Sequence, residues 1–276
     1  MSPFVQALIE TVGVVALAAA GAAAGRWCST WRKPWWVSGY VVSLLVLVVI
    51  ATARWFPQLE SSLPSAWVMT GRLEFALLAP VFTVLLTTLA SRLPRKREAI
   101  LFAALMVVCT VINSILPFLL PALNYRYLLE LKTTVDADGV CLQSNGYTCG
   151  PAAGVTALRR LGVQAEEGTL AIAAHTTRVA GTPTDSLCSA IRTEYGVVCR
   201  PAYFRRIDEL RGKEPAIVVV KYSLLVDHYV TVLEVTDGTV IIGDPLAGRA
   251  ELTYGEFARK WRKCGIVLDC PFARKP

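Results

Sequence analysis

The apolar positions follow two regimes along the chain. Up to Leu123 they run nearly unbroken in four stretches, approximately Phe4–Ala24, Trp35–Ala53, Trp67–Ala90 and Ala99–Leu123. Each is close to the roughly 20 apolar residues that a helix needs to cross a bilayer. The pattern predicts an all-α bundle of four transmembrane helices over residues 1–123. Buried helices of a soluble protein are the alternative, but runs this long and this numerous fit a bilayer better. The first stretch has no basic residue ahead of it and further spans after it, so it does not read as a cleaved signal peptide. Arg72 and Glu74 sit near the start of the third run. They either lie at the membrane interface or shorten that span.

Beyond Leu123 the spacing changes. Residues 124–139 form a polar connector, and a second domain covers residues 140–276. From Cys149 the apolar positions recur with helical period as far as Leu161, where Gly162 stops them. Further helices are predicted over Gly168–Ala174 and Thr184–Tyr195, the latter opened by Thr184 and closed by Gly196. Strand-like runs follow at Val197–Tyr203, Ala216–Tyr222, His228–Val235 and Thr239–Gly243. Asp237-Gly238 between the last two is a hairpin signal. A helix near Tyr254–Lys263 and a strand at Gly265–Leu268 close the domain. Helices first and an antiparallel sheet afterwards define an α+β class.

Charge refines the first regime. Up to Leu123 there are 9 Lys/Arg and 4 Asp/Glu; after it there are 19 and 17. The basic excess thus lies between the apolar runs, where it reads as a topology signal and not as a nucleic-acid surface. Arg26, Arg32 and Lys33 fill the first connection and Arg92, Arg95, Lys96 and Arg97 the third. These two connections are expected to face the cytoplasm, which puts both termini outside. Trp27, Trp31, Trp35, Trp36, Trp55 and Trp67 fall near span ends, as in an aromatic belt.

Candidate chemistry sits in the second regime. Cys149 precedes Gly150-Pro151 at a predicted helix N-terminus, where the dipole and unpaired N–H groups favour a thiolate. His228 opens a strand, and His175 is the only other histidine. His175 falls at a helix end among loop residues and reads as a structural contact. Asp244 ends the strand after that of His228, so a hairpin brings its carboxylate toward the imidazole. Asp227 is the weaker partner, because adjacent strand residues face opposite ways. Gln143, six residues before Cys149, is a candidate donor to an oxyanion. Each residue also has a plain reading: small buried cysteine, core histidine, Asp-Pro turn, exposed glutamine.

The segments Gln143-Ser-Asn-Gly-Tyr-Thr-Cys149-Gly-Pro-Ala-Ala, Asp227-His-Tyr-Val-Thr-Val and Gly243-Asp-Pro-Leu-Ala-Gly resemble the bacteriocin-processing, double-glycine cysteine peptidases. These papain-like bacterial domains are often fused to peptide exporters. The resemblance spans about Val140 to Leu268. It implies Cys149 as nucleophile, His228 as base, Asp244 as orienting carboxylate and Gln143 as oxyanion donor. It also implies a peptide substrate and a possible membrane transporter partner. No Walker motif Gly-x-x-x-x-Gly-Lys-Ser/Thr occurs in the sequence. The charge count also puts this domain outside, whereas exporter-linked relatives face the cytoplasm. A membrane-anchored, extracytoplasmic cysteine endopeptidase is therefore the leading expectation. A silent peptide-binding or sensing module and an acyl-transfer enzyme are the alternatives.

Six of the eight cysteines lie after Leu123. That density suits an oxidising compartment. Cys188 and Cys199 can meet across a helix–strand contact, whereas Cys264 and Cys270 flank one strand and should not pair. No Cys-x-x-Cys or histidine cluster occurs, so neither a zinc site nor another cofactor is expected.

Overall fold

A computed structural model describes residues 3–55, 72–223 and 226–269. The chain divides into two compact units, Met1–Leu123 and Asn124–Pro276.

The first unit is helical. α1 spans Pro3–Ser29, α2 Val37–Trp55, α3 Leu73–Ala90 and α4 Lys96–Thr110. A π-helical turn at Val111–Ile115 carries α4 into α5, Leu116–Leu123. Among the described residues, three helical segments are long and apolar enough to cross a membrane: Phe4–Ser29, Leu73–Ala90 and Lys96–Leu123. The apolar pattern predicts four. The second apolar run does form a helix, but its apolar part, Val37–Thr52, is shorter. The expected start of the third run, at Trp67, lies outside the described residues. α1 packs on α3 through small residues. A Cβ on Gly21 would come within 2.7 Å of Pro80 Cα, and one on Gly25 within 2.8 Å of Val84 O. Small residues at these positions let the two backbones approach. Arg72 does not lie inside a span: it occupies the N-cap position of α3. Its guanidinium pairs with Glu10 of α1 and lies 4.3 Å from the Phe118 ring centroid.

The second unit begins with a short helix, α6, Tyr125–Leu129, followed by a small hairpin of β1, Thr134–Val135, and β2, Cys141–Leu142. Three helices come next: α7 at Cys149–Arg160, α8 at Glu167–Ala173 and α9 at Thr184–Tyr195. The strands are β3 Val198–Tyr203, β4 Ala216–Lys221, β5 Asp227–Val235, β6 Thr239–Asp244, β7 Gly248–Thr253 and β8 Trp261–Asp269. They form one antiparallel sheet in the order β3-β8-β4-β5-β6-β7. The α+β class follows.

Two cores flank this sheet. Ile217, Val219 and Tyr229 join Ala153, Leu158, Leu170, Leu187 and Ile191 of the three helices. Val218, Val220, Val230, Val232, Val240 and Ile242 pack with Phe257 and Trp261 on the other side. β4 is buried on both faces, which explains its continuous Ala-Ile-Val-Val-Val run. The last helix, α10, is shorter than its pattern suggested, Tyr254–Lys260. A Thr253/Glu256 capping box starts it, and Trp261, buried and extended, turns the chain into β8.

Three contacts aim α7 at the sheet. Thr231 Oγ1 of β5 donates to Ala153 O at 2.8 Å. Thr156 Oγ1 accepts the Cys141 N–H at 2.9 Å. Gly243 of β6 leaves room for Val140 and Thr156, whose methyl groups would lie 3.0 and 3.3 Å from any Cβ there. Cys188 of α9 and Cys199 of β3 form a disulfide, with Cα atoms 5.4 Å apart. Cys270 lies outside the described residues. The bridge closes a separation of 11 residues. Replacing both cysteines with serine should lower the unfolding free energy of the second unit by about 3 kcal/mol on loop-closure grounds. Denaturant unfolding of the full chain checks this, and an unchanged midpoint would show that the bridge constrains nothing.

Candidate active site

Cys149 is the first residue of α7. Ahead of it, the Asn145 carbonyl collects three donors: Thr148 N–H at 3.2 Å, the Thr148 hydroxyl at 3.1 Å and the Gln143 side-chain amide at 2.6 Å. Asn145 N–H in turn donates to Thr148 Oγ1 at 3.1 Å. This closed turn fixes where the helix begins. Ala152 N–H bonds to Thr148 O, and Pro151 has no N–H. Helix geometry therefore leaves the Cys149 and Gly150 N–H groups without an intrahelical acceptor, at the positive end of the dipole.

His228 is the second residue of β5 and Asp244 the last of β6. The two strands pair directly, with Thr231 opposite Gly243. His228 Nε2 lies 2.8 Å from Asp244 Oδ1, and the Cys149 sulfur sits beside the same ring, close enough to raise its pKa. Because Asp244 engages Nε2, Nδ1 is the nitrogen left for sulfur. Asp244 Oδ1 also accepts the Leu246 N–H at 2.8 Å. The Tyr222 ring flanks the imidazole at 5.9 Å between centroids. Three of the four sequence candidates thus meet around one imidazole ring.

Burial alone would lower the His228 pKa. The hydrogen bonds to Asp244 and Cys149 outweigh it and raise the value to about 9. Burial pushes the Asp244 carboxyl the other way, up. The hydrogen bonds from His228 and the Leu246 amide prevail and hold it below its ordinary value. The pair is therefore strongest as imidazolium and carboxylate.

Gln143, the fourth candidate, lies on the approach loop. Its backbone N–H donates to Pro245 O at 2.9 Å, tying the loop to the turn behind Asp244. One hydrogen of its amide is taken by Asn145 O, and its Oε1 is buried with no partner. The second amide hydrogen remains for another acceptor. Asp227 and His175 make other contacts. Asp227 accepts from Arg262 Nε at 2.8 Å, and His175 lies just past the end of α8 in a left-handed turn, φ 53°. The roles of Asn145, Thr148 and Pro245 were not read from the sequence. They act through backbone groups, which composition does not display. No group of three or more His, Cys, Asp or Glu among the described residues is arranged to hold a metal.

A helix-borne thiol and a strand-borne imidazole–carboxylate pair, with three helices packed on an antiparallel sheet, define a papain-like cysteine peptidase fold. The peptidase C39 family matches residues 138–272, and the chain belongs to that family. An uncharacterized protein of Methanothermobacter marburgensis is 35% identical over 142 residues, spanning 51% of this chain and 96% of that protein. A second, from Methanothermobacter thermautotrophicus, is 32% identical over 141 residues, 51% of this chain and 95% of its own length. Among solved structures, the peptidase domain of Streptococcus ComA, a bi-functional ABC transporter involved in a quorum sensing pathway, is similar. The two are 22% identical with a TM-score of 0.42, over 46% of this chain and 94% of that domain. A double glycine motif protease from an AMS/PCAT transporter, solved with its leader peptide, is 18% identical with a TM-score of 0.41. That match covers 50% of this chain and 91% of the other.

The charged pair carries a pH signature. A raised His228 pKa contributes stability that is fully present below the unfolded value of 6.5 and lost as pH climbs through about 9. A depressed Asp244 pKa contributes stability above the unfolded value of 3.8, lost as pH falls through its folded pKa. Asp244→Asn should therefore destabilise the chain most between these limits, and the difference from the parent should shrink as pH rises through about 9. Denaturant midpoints measured across pH check this; a difference independent of pH would contradict it.

Proposed function

We propose that the chain is a membrane-anchored cysteine endopeptidase. The observation that supports this most is the gathering of Cys149 and the hydrogen-bonded Asp244 around the His228 ring. In this reading Cys149 attacks a peptide carbonyl as the thiolate, and the electron pair of the C=O moves onto oxygen. His228, already carrying the proton, passes it to the leaving amine as the C–N bond breaks. An acyl-enzyme remains. Water then attacks it, His228 takes the water's proton, and the thiolate departs as the new carboxylate forms. Asp244 keeps the ring oriented and stabilises its charge throughout.

The developing oxyanion meets the Cys149 and Gly150 N–H groups at the α7 terminus. The free hydrogen of the Gln143 amide completes the set. Donors preorganised in this way contribute roughly 2.7–4 kcal/mol each to a transition state.

Residues 1–123 anchor the enzyme, 124–139 connect, and 140–276 form the peptidase domain. The Cys188–Cys199 bridge and the basic first and third connections support an extracytoplasmic location for that domain. Membership of the C39 family and the resemblance to double-glycine peptidases support peptide leaders cut at Gly-Gly-like sites as substrates, and a membrane transporter as partner.

Cys149→Ala should abolish both peptide cleavage and labelling by a thiol-directed probe while thermal unfolding of the chain is retained. His228→Gln should lower kcat by about 10²–10⁴. Cleavage that persists in purified Cys149→Ala protein would end the proposal.

A further inference from the structure

Among the described residues, one acidic side chain outside the catalytic set is fully buried. Glu167 opens α8 and has no exposed surface. A carboxylate removed from water is costly unless donors replace the water. Here both replacements come from one residue. Glu167 Oε1 accepts the Ser144 N–H at 2.9 Å, and Oε2 accepts the Ser144 hydroxyl at 2.6 Å. Bonds to an ionised acceptor are about twice as strong as neutral ones. The carboxylate therefore grips the peptide plane that joins Gln143 to Ser144.

That plane belongs to the loop ahead of Cys149, and the loop is held from two directions through adjacent peptide planes. Pro245 O takes the Gln143 N–H from the Asp244 side. Glu167 takes the Ser144 N–H from the α8 side. The segment upstream of the family match joins in at three points. Tyr127 donates its hydroxyl to Asn145 Oδ1 at 2.8 Å. Lys132 O lies 3.2 Å from Ser144 Oγ, and Thr133 Oγ1 accepts the Glu167 N–H at 2.9 Å.

We propose that Glu167 is a positioning residue for the oxyanion loop: through Ser144 it sets where the Gln143 amide stands relative to the α7 terminus, with residues 127–133 bracing the same clamp. The proposal rests on the peptidase reading of the site. Glu167 does not touch the reacting atoms; it acts through Ser144 and Gln143. Loss of the clamp should weaken stabilisation of the oxyanion and leave the thiolate itself intact.

The full chain carrying Glu167→Ala, Glu167→Gln or Ser144→Ala tests this. Three quantities are measured: kcat and KM on a peptide substrate, the rate of Cys149 alkylation by iodoacetamide, and hydrogen exchange of the Ser144 amide. Alkylation passes through no oxyanion, so it reports the thiolate alone. Glu167→Ala should lower kcat by up to about a hundred-fold, less than the roughly 10²–10³ lost when an oxyanion donor is removed outright, because the donor is displaced and not deleted. KM and alkylation should stay within about two-fold of the parent, the mark of an interaction made in the transition state. Glu167→Gln should fall between, since its Oε1 still accepts the Ser144 N–H. Exchange at Ser144 should quicken in Glu167→Ala. An unchanged kcat in all three variants, or alkylation falling in step with kcat, would overturn the proposal. Unchanged Ser144 exchange in Glu167→Ala would overturn it too, even in a parent chain that cleaves no peptide. Absence of cleavage by the parent would count against the peptidase reading instead.

Discussion

One proton on a buried imidazole is the feature on which the site depends. Burial alone would lower the His228 pKa, because a cation loses its hydration there. Asp244 on one side and the Cys149 sulfur on the other reverse that outcome. The balance depends on chain elements far apart in sequence. β5 and β6 deliver His228 and Asp244 through their direct pairing, and α7 delivers Cys149. Thr231 bonds to the Ala153 carbonyl, so the strand carrying the base also fixes the helix carrying the thiol. Gly243, one residue before Asp244, makes room for Val140 and Thr156.

The loop before Cys149 is a second layer of the same design. Its polar groups are spent largely on itself: the Asn145 carbonyl receives three donors, and Thr148 bonds Asn145 in both directions. A turn saturated in this way has little freedom to shift when charge develops nearby, and preorganisation is what makes a donor useful to a transition state. Glu167 and Pro245 hold the turn from outside, each through a backbone N–H of an adjacent residue.

Much of this was legible in the amino-acid pattern. α9 begins and ends at Thr184 and Tyr195 as its cap signals indicated, and β4 showed as a continuous apolar run. Cys149, His228 and Asp244 were legible because each sits at an element boundary with a recognisable turn or helix-start residue beside it. Other features left no trace. β7 reads Gly-Arg-Ala-Glu-Leu-Thr, with its outer positions exposed at the sheet edge, so no apolar run marks it. The β1–β2 hairpin has two residues per strand and is made by an Asp136 side chain that bonds the Asp138 and Val140 amides. Glu166-Glu167 looks like a solvated acidic helix start, yet Glu167 is buried because Ser144, twenty-three residues earlier, meets it. Such pairings depend on tertiary contact and have no period.

The most direct test is titration of the histidine rings by NMR in the full chain. With only His175 and His228 present, two ring signals suffice and a His175 variant assigns them. The account predicts that the His228 ring keeps its proton until about pH 9 and gives it up at lower pH in Cys149→Ala protein, where one hydrogen-bond partner is gone. A His228 titration near the ordinary 6.5, indifferent to loss of the thiol, would contradict the pairing from which the rest follows.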